Sequence, residues 1–460
     1  MTIREAAQAL RERQVSSVEL TTAALGRVER LDGRLRSFIT VTADRALAQA
    51  AASDAALAAG KPRGLLEGIP IAVKDLFHTC GIRTTGGSAL YADHVPQSSA
   101  TVVERLDAAG AVMLGKLNQH ELAYGITSAN PHFGAVANPW NLEHSPGGSS
   151  GGSGAAVAAE IVYAAMGTDT GGSIRIPASF CGTVGLKPTY GRVSRHGVMP
   201  LGYSLDHMGP LARSVRDAAV VLNAIAGPDP RDETSSRFPV VDYVPEESCS
   251  VRGLRVGFPS NFYFDRTDPE VESSVRGALA RAAALGAVVK AVTVPDIAAI
   301  NAVARVVLLA EASAALEPLL AGRDRIGRDV LALLDQGRLI PATDYVNAQR
   351  LRRRMRAEFA RVWSEVDCLI TPTTPNLAPR IGDNTVRLGG VDEDVRLATT
   401  RFVRAINLLG LPALSMPCGL SATGLPVGMQ IIGPEFQEER ILRMGAALED
   451  SGVAIPPPVV

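Results

Sequence analysis

What the chain lacks narrows the field first. Five cysteines in 460 residues, widely scattered and without a CxxC pair, exclude a disulfide framework and a Cys-type structural zinc site; a reducing, cytoplasmic setting is expected. An excess of one charge is missing too. Lys+Arg 46 against Asp+Glu 47 leaves a net charge of -1, so no general attraction to polyanions exists, and no nucleic-acid partner is expected. Uncharged apolar runs long enough for a membrane span, about 18 residues, are absent, because the best candidates are broken by Glu160, Lys290, Asp296 and Arg305. The opening MTIREAAQALRERQ carries Arg4, Glu5, Arg11, Glu12 and Arg13 where a secretory signal would be apolar. No GxxxxGK[ST] occurs and no GxGxxG opens a helix after a strand, which argues against nucleotide binding. No His/Cys/Asp/Glu cluster stands at ligand spacing, so neither a metal nor another cofactor is expected.

What is present is an ordinary globular composition, 46% hydrophobic and 20% charged, enough for a large core. Residues 1–60 read as helices: Ser16 and Glu19 form a capping box ahead of Leu20, Ala24 and Val28, and Thr42 is placed to cap an Ala-rich helix with Asp44 in its first turn. From about residue 64 to 226, short apolar runs punctuated by glycine and proline alternate with helical segments, the mark of an α/β sheet with crossover helices. The Pro-, Asp- and Ser-rich stretch 227–250 reads as a surface connection. Residues 251–460 open on a strand, LRVGFPS, continue as helices over 270–288 and 302–366, and return to strand-like runs that rejoin the first sheet.

The chemistry concentrates in Ser145 to Gly182, SPGGSSGGSGAAVAAEIVYAAMGTDTGGSIRIPASFCG. A Gly/Ser run alone reads as a linker. This one passes into an apolar segment that must be buried and is followed by a second turn, TDTGGS, so the glycines imply close backbone approach to something small. Free N–H groups at such a turn suit an oxyanion, and Ser173 directly follows Gly171 and Gly172, which makes nucleophile and oxyanion hole one unit. None of the seven histidines stands at a distinctive spacing. Lys74, ending the run GIPIAVK, is either a snorkelling lysine at a strand end or a base kept neutral by burial. Asp169 and Arg175 could pair to brace the turn. Ser150 lies in a GxSxG pattern without Asp/His partners, Cys181 reads as a packing residue, and RLRRRMRAEFAR (350–361) reads as a solvated helix face.

These residues resemble the amidase signature hydrolases. Lys74 in GIPIAVKD, Ser149 in PGGSSGGSGAAVAA and Ser173 in GTDTGGSIRIPASFCG match the family's Ser-cisSer-Lys triad, and NPWN, SLDHMGPLARSV, DCLITPTTP and NLLGLPALSMPCG extend the resemblance along most of the chain. It implies one α/β domain over 1–460 with a central mixed β-sheet of many strands surrounded by helices. It also implies Ser173 as nucleophile, Ser149 as proton relay, Lys74 as base, and an oxyanion hole from the backbone of Thr170, Gly171, Gly172 and Ser173. The alternative within the family is the glutamine-hydrolysing component of a tRNA-dependent amidotransferase. Where that component carries an arginine and an aspartate for glutamine, this chain has apolar residues around Leu331 to Leu333 and Thr400. The reading therefore favours a stand-alone hydrolase of small neutral amides, with anilides, carbamates and esters admitted and a homodimer left open. Specificity is expected around residues 120–130, 300–340 and 380–405.

Overall fold

The computed structural model describes residues 1–459. Eleven of its fifteen strands form one sheet: β1 (Phe38–Val41), β2 (Pro70–Lys74), β3 (Val112–Leu117), β6 (Ala164–Asp169), β7 (Val184–Lys187), β8 (His207–Ala212), β9 (Arg255–Pro259), β10 (Val288–Val292), β11 (Cys368–Pro372), β14 (Ala413–Leu420) and β15 (Pro426–Ile432). The order across the sheet is β1-β3-β2-β6-β8-β7-β14-β15-β11-β9-β10. Two small hairpins, β4 (Ala129–Asn130) with β5 (Gly134–Ala135) and β12 (Thr385–Leu388) with β13 (Val391–Asp394), stand apart.

The sheet is mixed. β3, β2 and β6 run parallel, as do β11, β9 and β10, while the strands between them pair antiparallel. Helices cover it, and one core cluster joins Val73, Met166 and Leu186 from the first half to Val256, Ile370 and Met429 from the second. The second half therefore completes the first sheet as expected.

Local signals worked where the chemistry was specific. Ser16 and Glu19 make the reciprocal capping box, with Glu19 N donating to Ser16 Oγ at 3.1 Å and Ser16 N to Glu19 Oε2 at 2.8 Å. Thr42 precedes the helix Ala43–Ala58 but makes no side-chain cap; its Oγ1 donates to Met113 O at 2.9 Å. The helical reading of residues 1–60 also misses β1, an edge strand antiparallel to β3. Residues 227–250 hold no helix or strand and are pinned to the body: Arg192 donates to Phe238 O and Pro239 O, and Phe238 stacks on Phe436 at 4.7 Å. The helix Ile297–Leu316, continued by turns to Arg325, is apolar and long enough to cross a membrane by length and composition; here Ile300, Val303, Ala304 and Val307 pack into a core cluster.

Candidate active site

β2 and β6 are parallel neighbours in register, Val73 opposite Met166, so both end at the same edge of the sheet. Carboxyl ends of parallel strands are where such sheets bind ligands. Lys74 is the last residue of β2 and is fully buried. Its Nζ donates to Ser149 Oγ at 2.6 Å and to Thr168 Oγ1 at 2.8 Å, two hydroxyls and no carboxylate. Burial pushes this amine down to about 7 against the opposing pull of Asp169 and Asp206. The snorkelling reading is thereby excluded.

Ser149 follows a cis Gly148–Ser149 peptide bond and leads into the helix Gly151–Ala158. The glycines of this run are required by proximity: a Cβ on Gly152 would lie 2.3 Å from Asn118 O and 2.5 Å from Ser37 O. Ser150 turns the other way. Its Oγ donates to Thr168 O at 3.2 Å while its N–H donates to Ser173 O at 3.3 Å, so it serves as a strut between the two turns rather than as an elbow nucleophile.

Residues 170–173 form the turn after β6, and Asp169 organises it. Its carboxylate accepts from Arg175 Nε and Nη2, each at 3.0 Å, from Gly172 N at 2.7 Å and from Asn407 Nδ2 at 2.8 Å. Burial alone would raise this carboxyl, but the Arg175 guanidinium beside it holds it well below the usual carboxylate range. The bracing pair is therefore real. It also bears on the expected oxyanion hole: the Gly172 N–H is taken by Asp169, which withdraws it from the expected set of Thr170, Gly171, Gly172 and Ser173. Gly172 has φ +124°, and a Cβ there would fall 2.4 Å from Val403 Cγ2, so only glycine fits. Thr170 Oγ1 donates to the buried Asp206 at 2.6 Å. Cys181 is buried, its thiol pushed up by that burial, and packs as expected.

Over this turn lies a cavity of about 360 Å³ reaching Thr170, Gly171 and Ser173. Its walls come from residues 123–126, from 305–336 and from 394–404, the three regions in which specificity is expected from the sequence. Its chemistry differs from that expectation. Leu333 and Thr400 do line it, but so do Asp329, Arg305, Arg396 and Arg404. Asp329 and Arg396 each stand four residues before Leu333 and Thr400, on the same helix faces. The expectation of an uncharged pocket is thus overturned.

The charges are unevenly satisfied. Asp329 Oδ2 meets His120 Nε2 at 2.8 Å. Arg396 Nη2 donates to Tyr124 O at 2.7 Å, Arg404 Nη2 to Thr400 Oγ1 at 2.5 Å and Arg305 Nη2 to Gln336 Oε1 at 3.4 Å. None of the three guanidiniums has a carboxylate in ion-pair contact among the described residues, and Arg404 Nε is buried without a partner. Burial, with Arg396 and Arg305 nearby, pushes Arg404 down to about 10.

The amidase family model matches residues 19–442. The chain belongs to the amidase family. Among curated relatives are the A subunits of glutamyl-tRNA(Gln) amidotransferases. The chain is 43% identical to the one from Anaeromyxobacter sp. (strain K), over 99% of this chain and 97% of the relative. Its counterpart from Moorella thermoacetica is also 43% identical, over 98% and 96%. Among solved structures, one from work on an unexpected vestigial protein complex and the evolutionary origins of an s-triazine catabolic enzyme superposes with a TM-score of 0.95, at 37% identity and 99% coverage of both chains. A bacterial aryl acylamidase of the amidase signature family superposes with a TM-score of 0.88, at 28% identity over 98% of this chain and 96% of the other. These relatives do not favour a resemblance to stand-alone amidases over the amidotransferase components.

The fold brings Lys74, Ser149 and Ser173, all marked in the sequence, to one edge of the sheet. Thr168, the second hydroxyl on Lys74, is not marked, though TDTGGS begins with it, two residues before Thr170. Arg396 and Arg404 also escape a reading of single positions; stepping four residues back from Thr400 along its helix finds Arg396, and the next helix opens on Arg404.

Proposed function

We propose that this chain is a serine amidohydrolase that cleaves the C–N bond of a small amide bearing a carboxylate, with glutamine the first candidate. Ser173 attacks the amide carbonyl, its proton passing through Ser149 Oγ to neutral Lys74. The tetrahedral oxyanion is received by the amides of Thr170, Gly171 and Ser173, donors of a kind worth about 3–4 kcal/mol each. The same proton leaves with ammonia or the amine, and water then releases the acid from the acyl-enzyme. The observation that carries the substrate class is the pair Arg396 and Arg404, partly buried in the cavity wall and without a carboxylate in ion-pair contact, with the exposed Arg305 beside them. A cation removed from water is costly unless paired, and a ligand carboxylate supplies the missing partner.

A second reading, the glutamine-hydrolysing component of an amidotransferase that passes ammonia to a partner, is supported by the names of the curated relatives. Both readings need a carboxylate-holding wall; they differ in whether a partner chain or tRNA stimulates turnover. The test compares succinamate and L-glutamine with neutral butyramide and an anilide in wild type and Arg404→Met. The carboxylates should be preferred, and Arg404→Met should lower their kcat/KM by about 100-fold while leaving butyramide nearly untouched. Preference for the neutral amides, insensitive to Arg404→Met, would sink the proposal. Stimulation of glutamine hydrolysis by tRNA or a co-purifying protein would select the second reading.

A further inference from the structure

The segment His120-Glu121-Leu122-Ala123 touches more of the site than any assigned role accounts for. Glu121 is fully buried. Its Oε1 accepts from Ser88 Oγ at 2.7 Å and meets His132 Nε2 at 2.8 Å, while Oε2 accepts from Gly327 N at 2.7 Å. Gly327 is the N-cap of the helix Arg328–Arg338, which turns Asp329, Leu333 and Gln336 to the cavity. A carboxylate at that end also meets the positive pole of the helix.

The residues on either side extend the connection. His120 Nε2 meets Asp329 Oδ2 at 2.8 Å, and His120 N donates to Ser149 O at 3.0 Å. Leu122 and Ala123 then take left-handed backbone angles, φ 49° and 59°, a region that non-glycine residues rarely occupy. Leu122 is held there by its N–H donating to Gly86 O at 2.8 Å, and Ala123 emerges in the cavity wall. The far end of the wall helix has its own anchor, Ser313 Oγ donating to Leu334 O at 2.7 Å. Its near end is held by Glu121 and His120.

We propose that Glu121 is a positioning residue, fixing the substrate-facing helix Arg328–Arg338 against the loop whose backbone holds Ser149. The proposal rests on reading this cavity as the substrate site. It separates substrate fit from bond-breaking: with the strap cut, the floor around Ser173 stays assembled while the wall loses its place.

The test uses the full chain. In Glu121→Ala, KM for succinamate should rise about 10-fold or more while kcat stays within about threefold. Labelling of Ser173 by a compact fluorophosphonate, which does not reach the wall, should be unchanged, and amide hydrogen exchange over residues 328–338 should quicken. Glu121→Gln can still offer a carbonyl oxygen to Gly327 N–H and should recover most of the loss. Gly327→Ala, whose Cβ would sit 2.7 Å from Glu121 Oε2, should reproduce the KM rise from the helix side, and it carries the test if Glu121→Ala does not fold. Unchanged KM and exchange in these variants, or labelling that falls in step with kcat, overturns the proposal. If wild type does not turn over succinamate or glutamine, the carboxylate reading fails, while exchange and labelling still decide the strap.

Discussion

The floor and the wall of the cavity are built on opposite plans. On the floor, Asp169, Arg175 and Asn407 are hydrogen-bonded to one another, to Val403 O and to Gln430, and Lys74 rests on two hydroxyls. Its charges are matched within the chain. On the wall, Arg305, Arg396 and Arg404 are hydrogen-bonded to an amide, a carbonyl and a hydroxyl, and although Asp329 and Asp394 line the same cavity, neither makes an ion pair with them. The difference separates two tasks. Bond-breaking groups must be preorganised before substrate arrives, so they are cross-braced; recognition groups are completed by the substrate itself.

Removing the proposed nucleophile should break the floor most severely. Ser173→Ala should lower turnover by roughly 10⁴- to 10⁶-fold and abolish fluorophosphonate labelling, whereas Ser150→Ala should keep the label on Ser173. A label that moves to Ser150 in Ser173→Ala would make Ser150 the nucleophile and the floor a different machine.

A smaller change on the wall should be felt only through recognition. Thr400 Oγ1 donates to Arg396 O at 2.7 Å and accepts from Arg404 Nη2, so it aims Arg404. Thr400→Val should cost about 1 kcal/mol, roughly a fivefold loss in kcat/KM for succinamate with butyramide unaffected. Equal losses for both substrates would mean that the wall and the floor are not separable.

The smallest effect is a displacement in pH. In the proposed mechanism Lys74 must be neutral to accept a proton, so kcat/KM should rise with pH through about 7 and level off above. Asp206 favours the protonated amine, and Asp206→Asn should move that limb to lower pH by a fraction of a unit. Arg404→Met should leave the limb where it is. An acid limb that follows Arg404→Met but ignores Asp206→Asn would assign the titration to the wrong side of the cavity.

The two sides also differ in how legibly the sequence announces them. Most of the floor comes from residues close along the chain, Ser149 to Arg175, whose glycines are dictated by contacts as short as that of Gly152 with Asn118 O, so a local motif carries that part; its braces Asn407 and Gln430 lie far along the chain and no local pattern marks them. Lys74 is distant in sequence, and an apolar strand ending in lysine reads equally as a snorkelling side chain; the resemblance to the amidase signature is what marks it. The wall is assembled from helices near residues 305, 329 and 396 that meet only in the fold, and no local pattern relates them. The same reason hides Glu121, whose three partners lie at 88, 132 and 327. Gly172 differs again: its N–H is legible as a donor, but its acceptor, Asp169, is legible only as a partner of Arg175.

The three unpaired guanidiniums have a thermodynamic consequence for the free protein. Arg396 and Arg305 act on the partly buried Arg404 in the folded state, against the opposing pull of Asp394, and this repulsion is absent from the unfolded chain. A small anion bound here by the folded form alone would add about 2.7 kcal/mol to the unfolding free energy at a hundred times its dissociation constant and so raise the melting temperature. The melting curve is thus an assay for ligands that needs no turnover, and the choice of buffer anion becomes a variable of the protein's stability.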